Sequence, residues 1–372
     1  MDKARKSHHL SKDRINPIRL KNNMTVKELV DNFNRSGAFN AGRLGEACKL
    51  YEKMLEEDAT VAITISGAMA PTGLGGALIS LIESGFVDVI VSTGANLYHD
   101  LHFALDLPVH QGDFRADDRE LFKDKIVRIY DIYVPDAVLD VTDTYIRNIF
   151  SSKSYEKPIS TSELHHIIGK ETLVNTKYPE KSFVAQAAKY DVPIYTSSPG
   201  DSSIGINLAA LKLEGSSLTV DPDLDVLETS AIVLNSAKNG VIELGGGSPK
   251  NFYLQTQPVL QQILTLNTTH GHDYIIQITI DPPQYGGLSG ATPSEAISWG
   301  KVDPNDLNNN VVVYADITLA APILFNYVAS TMKRKKPKKL YSRREEFMEN
   351  LKSRYREIKN SNVSTEFTTD SH

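Results

Sequence analysis

The stretch VAITISGAMAPTGLGGALISLIESGFVDVIV, residues 61–91, decides the fold class. It starts with an apolar run at 61–66, passes through a turn of small residues and a helical pattern at 73–83, and ends in a second apolar run at 86–91. Both runs are continuously apolar, which is typical of strands buried on both faces of a parallel sheet. A strand, a helix and a strand of this kind form the repeating unit of α/β folds.

Further β-rich apolar runs continue this pattern along the chain. They lie at 126–134, 192–197, 240–245, 274–280 and 311–316. A helical pattern at 222–237 carries Pro222 in its first turn, where proline is tolerated. The sequence therefore predicts an α/β fold with a doubly wound, mostly parallel sheet of Rossmann-like type. Two amphipathic helices predicted between residues 24 and 57 add a helical N-terminal extension.

Charge is distributed unevenly over the 372 residues. The net charge is −6, but residues 1–21 carry +5 and residues 333–359 carry +8, so the body is strongly acidic. We expect a basic N-terminal arm over 1–21, a single domain over 22–332, and a charged C-terminal helix and tail over 333–372. An acidic body favours cationic small molecules over nucleic acid. The basic run at 333–344 could contact RNA or a membrane surface, although such runs are more often solvated extensions.

The composition excludes several classes of protein. Hydrophobic residues at 41% and charged residues at 23% are ordinary for a globular chain. No apolar stretch approaches the roughly 18 residues of a membrane-spanning helix, and residues 1–14 lack the apolar core of a secretory signal. The single cysteine, Cys48, excludes an internal disulfide framework and a multi-thiolate zinc site. We expect a cytoplasmic protein with no metal, nucleic-acid or membrane partner; the motif HGHD at 270–273 indicates a metal only weakly.

Small residues follow three of the predicted strands, at 66–73, 92–96 and 245–249. Such turns let the backbone approach a ligand closely, and the helix that follows can direct its N-terminus at a phosphate. None of the three fits G-x-G-x-x-G. The turns alone therefore predict a dinucleotide site weakly, since glycines also serve tight turns between strand and helix.

The most specific stretch is YGGLSGATPSEAISWGKVD, residues 285–303. Pro293 begins a predicted short helix on which Glu295 and Trp299, four residues apart, share a face. An indole beside a carboxylate suits an aliphatic cation. Lys301 follows the helix, and a lysine amine can act as a nucleophile once it has lost its proton. Taken alone, the pattern is also consistent with a core tryptophan and a surface lysine.

This block resembles the signature around the imine-forming lysine of the deoxyhypusine synthase family. Four shorter segments resemble other parts of that family: SGFVDVIVSTGANLYHDL (84–101), TSSPGDSSIG (196–205), VIELGGGSPK (241–250) and YADIT (314–318). The segment at 15–47 resembles its N-terminal helices. The resemblance is co-linear from Ile15 to Met332.

The resemblance implies an NAD-dependent transferase that moves an aminobutyl group from a polyamine donor to an amine acceptor through an imine on Lys301. It also implies a homotetramer with sites between paired subunits. Ser289, Glu295 and Trp299 match substrate-binding positions. The positions that match cofactor contacts are Gly67, Ala68, Met69, Ala70, Pro71, Thr93, Gly94, Ala95, Asp201, Gly246, Ile280, Asp281, Asp316 and Ile317.

Four further substrate positions depart from the family pattern. Asn251 stands in place of a histidine, Ile206 and Leu288 in place of aspartates, and His99 in a pair that is otherwise two glutamates. Burying an unpaired ammonium against apolar side chains is costly. We therefore predict a smaller or less charged amine substrate, as in homospermidine-type chemistry, unless other acids such as Asp100 or Glu243 supply the charge.

Two alternatives remain open at this point. One is a true deoxyhypusine synthase that modifies a lysine of a translation initiation factor. The other is a non-catalytic oligomer that binds NAD or a polyamine. The presence of Lys301, Trp299 and Glu295 favours an enzyme, because a binding module needs no nucleophile.

Overall fold

The computed structural model describes residues 14–151, 154–266, 271–305 and 307–369. Within them, the strands are β1 (Thr60–Ile65), β2 (Val89–Ser92), β3 (His110–Gln111), β4 (Ile126–Ile129), β5 (Ile132–Pro135), β6 (Ile194–Tyr195), β7 (Asn239–Leu244), β8 (Tyr274–Thr279) and β9 (Asn310–Tyr314). Six of them form a parallel sheet in the order β6-β2-β1-β7-β8-β9. Counted along the chain this is the order 3-2-1-4-5-6 of Rossmann folds, so the predicted fold class is confirmed.

Helices connect the strands and cover both faces of this sheet. They are α1 (Val26–Ser36), α2 (Phe39–Glu56), α3 (Gly75–Ser84), α4 (Gly94–Ala104), α5 (Asp118–Lys123), α6 (Asp136–Ser151), α7 (Thr161–Asn175), α8 (Phe183–Tyr190), α9 (Ser203–Leu213), α10 (Pro222–Leu234), α11 (Gly247–Leu254), α12 (Thr256–Pro258), α13 (Pro293–Ile297), α14 (Ile317–Thr331) and α15 (Arg344–Thr369). The N-terminal extension is helical as predicted: α1 begins with a capping box between Thr25 and Glu28 and ends at Gly37. None of these helices is long and apolar enough to cross a membrane.

The core is divided between the two faces of the sheet. Every residue of β1, β7 and β8 is buried. In β7, Ile242 and Leu244 belong to a large apolar cluster with α2, α3 and α14, whereas Val241 belongs to a second cluster with α10, α11 and α15. Because strand side chains alternate, Glu243 lies on the face of Val241.

The composition of the apolar run at 126–134 suggests one strand of the parallel sheet, and this prediction is wrong. The run forms the hairpin of β4 and β5, which pair antiparallel and, with β3, make a separate three-stranded sheet. The chain reverses at Tyr130, whose φ of 53° is left-handed, and Asp131. The polar pair within the apolar run therefore marks a turn.

The basic run at 333–344 is not a solvated extension. Lys335 donates to the carbonyl of Leu55 at 2.8 Å, and Lys338 donates to the carbonyls of Asp58 and Ala59, each at 2.8 Å. Lys338 also lies 3.6 Å from the buried carboxylate of Asp88. The side chain of Leu340, and those of Phe347 and Leu351 on α15, are buried in the second apolar cluster.

This segment, residues 333–343, therefore forms a strap across the amino end of the sheet. The described part of the N-terminal arm, residues 14–21, is exposed, and residues 1–13 lie outside the described range.

Candidate active site

The sequence-predicted cofactor positions converge on one edge of the parallel sheet. Gly67–Pro71 follow β1, Thr93–Ala95 follow β2, Gly246 follows β7, Ile280 and Asp281 follow β8, and Asp316 and Ile317 follow β9. Asp201 lies in the loop between β6 and α9. Because these strands are parallel, their carboxyl ends meet, and the strand order reverses between β1 and β7, where α/β proteins bind their ligands.

The turn after β1 is organised by Asn96, a buried residue in the first turn of α4. Its side-chain oxygen accepts hydrogen bonds from the backbone N–H groups of Met69, at 2.6 Å, and Ala70, at 2.8 Å. Its amide nitrogen donates to Thr93 at 2.9 Å, and the Thr93 hydroxyl donates to the carbonyl of Gly67 at 2.6 Å. Sequence analysis missed this role, since an asparagine in a small-residue turn gives no signal of its distant partners.

The turn after β7 lies against the loop after β8. A Cβ at Gly246 would be 2.2 Å from the Cα of Ser289, so this approach requires glycine. The carbonyl of Ser289 accepts a hydrogen bond of 2.9 Å from Gln277 on β8. Gln277 therefore ties the backbone of Ser289 to the sheet.

A cleft of about 990 Å³ opens beside the turn after β1. Ala68, Met69, Pro71 and Asp316 line it on the sheet side, and residues 109–112 and 129–132 line the opposite side. The volume lies at the upper end of that of ligand pockets. Its small residues lie at the carboxyl end of β1 beside the point where the strand order reverses, which is where such folds hold a dinucleotide, so the residues present fit NAD.

The C-terminus of α13 fixes the backbone position of Lys301. Gly300 adopts a left-handed φ of 68°; its N–H bonds to the carbonyl of Ile297, and the N–H of Lys301 bonds to that of Ala296. This pair of bonds is a Schellman motif, which requires glycine at the first of the two positions. The carbonyl of Lys301 in turn accepts a hydrogen bond of 2.9 Å from His272. The backbone of Lys301 is therefore fixed on both sides.

The side chain of Lys301 is half-buried in a cavity of about 290 Å³. Its amine donates a hydrogen bond of 2.8 Å to the side-chain oxygen of Asn251 on α11 and lies 5.7 Å from the centre of the Trp299 ring. Burial, and next the charge of Lys250, lower the pKa of this amine below its ordinary value. Desolvation and a neighbouring cation are the conditions that activate a lysine nucleophile.

A carboxylate lies at the sheet side of the same cavity. Glu243 on β7 is fully buried, and its oxygen lies 3.6 Å from the amine of Lys250. Burial raises the pKa of Glu243 to about 7, against the lowering effect of Lys250 and then Lys301. The charged residues that line the cavity are Glu243, Lys250, Glu295 and Lys301. Its remaining surface is mainly apolar, and Leu288 and Trp299 form part of it.

Four sequence-predicted residues do not line this cavity, and one of them is Ser289, whose backbone packs against Gly246. His99 on α4 contacts His102, at 3.0 Å between ring nitrogens. Ile206 on α9 is 61% exposed. Asp100, an alternative source of charge, is buried and accepts hydrogen bonds from the Ser182 hydroxyl and the first N–H groups of α8. Of the two acids considered at the outset, the structure brings Glu243, and not Asp100, to Lys301.

The HGHD motif at 270–273, which indicates a metal only weakly, is described from residue 271 onwards. His272 is buried, bonds to Asn239 and stacks on Tyr253, and His270 lies outside the described residues. Within the described ranges, no group of three or more His, Cys, Asp or Glu side chains could hold a metal ion.

Comparison with known proteins identifies the family. The fold and the site define a Rossmann-type α/β protein with a desolvated lysine at the carboxyl edge of its sheet. The family model for deoxyhypusine synthase matches residues 28–328. The chain therefore belongs to the deoxyhypusine synthase family, as the sequence resemblance predicts.

Individual relatives agree with this assignment. A "Deoxyhypusine synthase-like protein" of Nostoc punctiforme is 45% identical over 92% of this chain and 89% of its own length. A "Probable deoxyhypusine synthase 2" of Methanosarcina acetivorans is 40% identical over 83% of this chain and 87% of its own. A crystal structure from Entamoeba histolytica, of a protein assigned as a deoxyhypusine synthase, has a TM-score of 0.56 at 18% identity and covers 84% of this chain and 96% of that one. At that identity the likeness supports the fold alone.

Proposed function

We propose that this protein is an NAD-dependent transferase that moves an aminoalkyl group between amines through an imine on Lys301. The observation that carries the proposal is the position of the Lys301 amine, which is held by Asn251 in a largely apolar cavity beside Lys250. A lysine with a lowered pKa and access to a cavity is suited to Schiff-base formation. Neither a structural lysine nor a simple binding site requires this arrangement.

The chemistry assigned to Lys301 proceeds in two halves. Its neutral amine attacks the imine carbon of the oxidised donor; the bond from that carbon to the donor nitrogen breaks, and the departing amine takes the proton that Lys301 releases. The alkyl chain is then joined to Lys301 by a carbon–nitrogen double bond. An acceptor amine attacks the same carbon, Lys301 leaves and regains its proton, and the new imine remains to be reduced.

The residues of this chain orient these steps. Asn251 fixes the direction of the amine, Lys250 favours its neutral form, and Trp299 and Leu288 form an apolar wall on one side of the cavity. NAD, held by the turns after β1, β2 and β7, would accept a hydride from the donor and return it to the product imine. The overall reaction would then involve no net redox change.

We propose a small amine as acceptor, as in homospermidine-type chemistry. In support, Leu288 lines the cavity where the family pattern has an aspartate, and a cavity of about 290 Å³ is small for a ligand pocket. The second candidate is a true deoxyhypusine synthase acting on a lysine of a translation factor, and the names of the archaeal relatives favour it. The family resemblance also leads us to propose a homotetramer with sites between subunits; Trp299 is 68% exposed in the single chain.

The test is product analysis by mass spectrometry after incubation with NAD and a panel of amines, with borohydride added to trap an imine. We expect a mass adduct on Lys301, a transferred product, and deuterium carried from the donor carbon into that product. A translation-factor acceptor tested against putrescine separates the two candidate reactions. If no adduct forms with any donor, the protein is instead a binder of NAD or polyamine; stoichiometric release of NADH with turnover would contradict the retained hydride.

A further inference from the structure

Several buried acceptor atoms beside the Lys301 cavity have no hydrogen-bond donor among the described residues. They are both carboxylate oxygens of Glu243 and the side-chain oxygen of Gln277. Glu243 and Gln277 are paired in register on adjacent strands, so their side chains leave the sheet on the same face. Buried acceptors without donors are rare in folded proteins, and each indicates a missing partner.

The neighbouring donors are already engaged elsewhere. Lys250 donates to the carbonyls of Leu288 at 3.3 Å and Ala291 at 2.5 Å, and its amine remains 3.6 Å from Glu243. Gln277 donates its amide hydrogen to Ser289 at 2.9 Å. Lys250 and Gln277 therefore hold the 288–291 loop against the cavity, and the buried Glu243 oxygens at the cavity wall have no donor within hydrogen-bond distance in the described part of the chain.

The charges of the cavity favour a cation as that ligand. Four charged residues line it, namely Glu243, Lys250, Glu295 and Lys301. When Lys301 is neutral, as a nucleophile must be, and Glu243 is ionised, the cavity holds two carboxylates and one ammonium. A primary ammonium has three N–H donors and no acceptor, so it matches both the residual negative charge and the unpaired oxygens.

We infer that Glu243 binds the terminal ammonium of the substrate at the closed, sheet side of the cavity, and that the site selects short α,ω-diamine chains whose other end reaches Lys301. This inference rests on the proposed function and names its substrate class. Glu243 takes the place of the acids that are absent at Ile206 and Leu288. The preferred length of the diamine is then set by the separation of two fixed groups, the Glu243 carboxylate and the Lys301 amine.

The experiment is calorimetric titration of the full chain with 1,3-diaminopropane, putrescine, cadaverine and the monoamine butylamine. We expect Glu243→Gln, which keeps the shape and removes the charge, to weaken the binding of both putrescine and butylamine at least tenfold, because each places an ammonium against Glu243. Glu243→Asp shortens the side chain by one methylene, so the optimum should move to a diamine one methylene longer. Glu56→Gln, the same change at an exposed position, should alter neither.

The chain-length shift distinguishes a ligand from a structural role. If Glu243 serves only as the ion-pair partner of Lys250, Glu243→Asp will weaken all diamines evenly, and unchanged putrescine binding by Glu243→Gln would equally overturn the inference. Thermal melting of each variant verifies the fold, and Glu243→Asp, which keeps the charge, remains informative if Glu243→Gln does not fold. A Lys301 imine with unchanged diamine binding would reject this inference alone, whereas the length shift without an imine would reject only the transfer reaction.

Discussion

The amine of Lys301 donates a hydrogen bond of 2.8 Å to the side-chain oxygen of Asn251. The family pattern has a histidine at this position. A histidine can exchange protons near neutral pH, whereas an amide oxygen can only accept a hydrogen bond. Asn251 is therefore suited to orient Lys301, and the proton that Lys301 loses must pass to another group, such as the departing amine.

Replacing Asn251 should alter the ionisation of Lys301. In Asn251→Asp a carboxylate beside the amine favours its charged form, so we expect the pH dependence of imine trapping to move to higher pH. Asn251→Ala removes the acceptor without adding charge and should slow trapping about tenfold, the effect of roughly one hydrogen bond. The measurement is the rate of borohydride trapping between pH 6 and 10; an unshifted profile in Asn251→Asp would show that the contact does not persist in the reacting protein.

Replacing Lys301 itself should abolish transfer and leave the fold intact. Lys301→Ala loses the nucleophile, and Lys301→Arg retains a cation that stays protonated and cannot form an imine. Both variants should melt within a few degrees of the parent, because the side chain is half-buried and makes one hydrogen bond. Product formation by mass spectrometry is the measurement, and undiminished transfer by either variant would refute the imine mechanism.

Acids introduced at the two apolar substrate positions should have unequal effects. Leu288 lines the Lys301 cavity, so Leu288→Asp should strengthen spermidine binding several-fold by supplying a charge for a further ammonium. Ile206 does not line it within one chain, so Ile206→Asp should have little effect alone. Spermidine titration of the two single variants and the double variant tests this. A large gain from Ile206→Asp alone would mean that a second subunit brings this residue to the site.

The pH dependence of stability should report the burial of Glu243. Burial raises its pKa from 4.5 to about 7 in the folded protein. Between these values the native state holds a proton that the unfolded chain has lost, so the contribution of Glu243 to stability is present below pH 4.5 and decreases as the pH rises towards 7. The stability of the parent relative to Glu243→Gln should therefore fall by up to about 3 kcal/mol across this range. Urea unfolding at pH 5, 6 and 7 measures it, and parallel curves would contradict the raised pKa.

The strap offers a matched test of stability at the opposite end of the sheet. Lys338→Ala leaves the buried Asp88 carboxylate without its cation and two carbonyls without their donor. We expect the free energy of unfolding to fall by about 2 kcal/mol. Lys336→Ala removes an exposed lysine from the same run and should change it by less than about 0.5 kcal/mol. Equal effects in the two variants would show that the contacts of Lys338 do not hold the strap in solution.

The strands and the lysine motif could be predicted from sequence because their signals are local. Continuous apolar runs identify buried parallel strands, and the block ending at Lys301 contains its own helix start, helix end and glycine cap. The family resemblance added the cofactor positions, which a turn of small residues indicates only weakly.

Other features depend on contacts between distant parts of the chain. The role of Asn96 comes from its bonds to Met69 and Ala70, and the strap comes from an ion pair between Lys338 and Asp88. Glu243 could be considered as an acid, but its approach to Lys301 requires the packing of α11 and α13 against the sheet. The hairpin at 126–135 was misinterpreted because apolar content outweighed the Tyr130–Asp131 turn.

The carboxylate of Glu243 occupies a fully buried position in β7, a central strand of the sheet. Apolar residues of similar size often replace buried ionic groups with a gain in stability. Directed evolution for heat resistance alone should therefore favour loss of this acid, and of its partner Lys250 with it. If Glu243 binds the substrate ammonium, such thermostable descendants would lose their discrimination among amines while retaining Lys301. A screen for heat resistance would therefore also need to select for preference among diamines of different length.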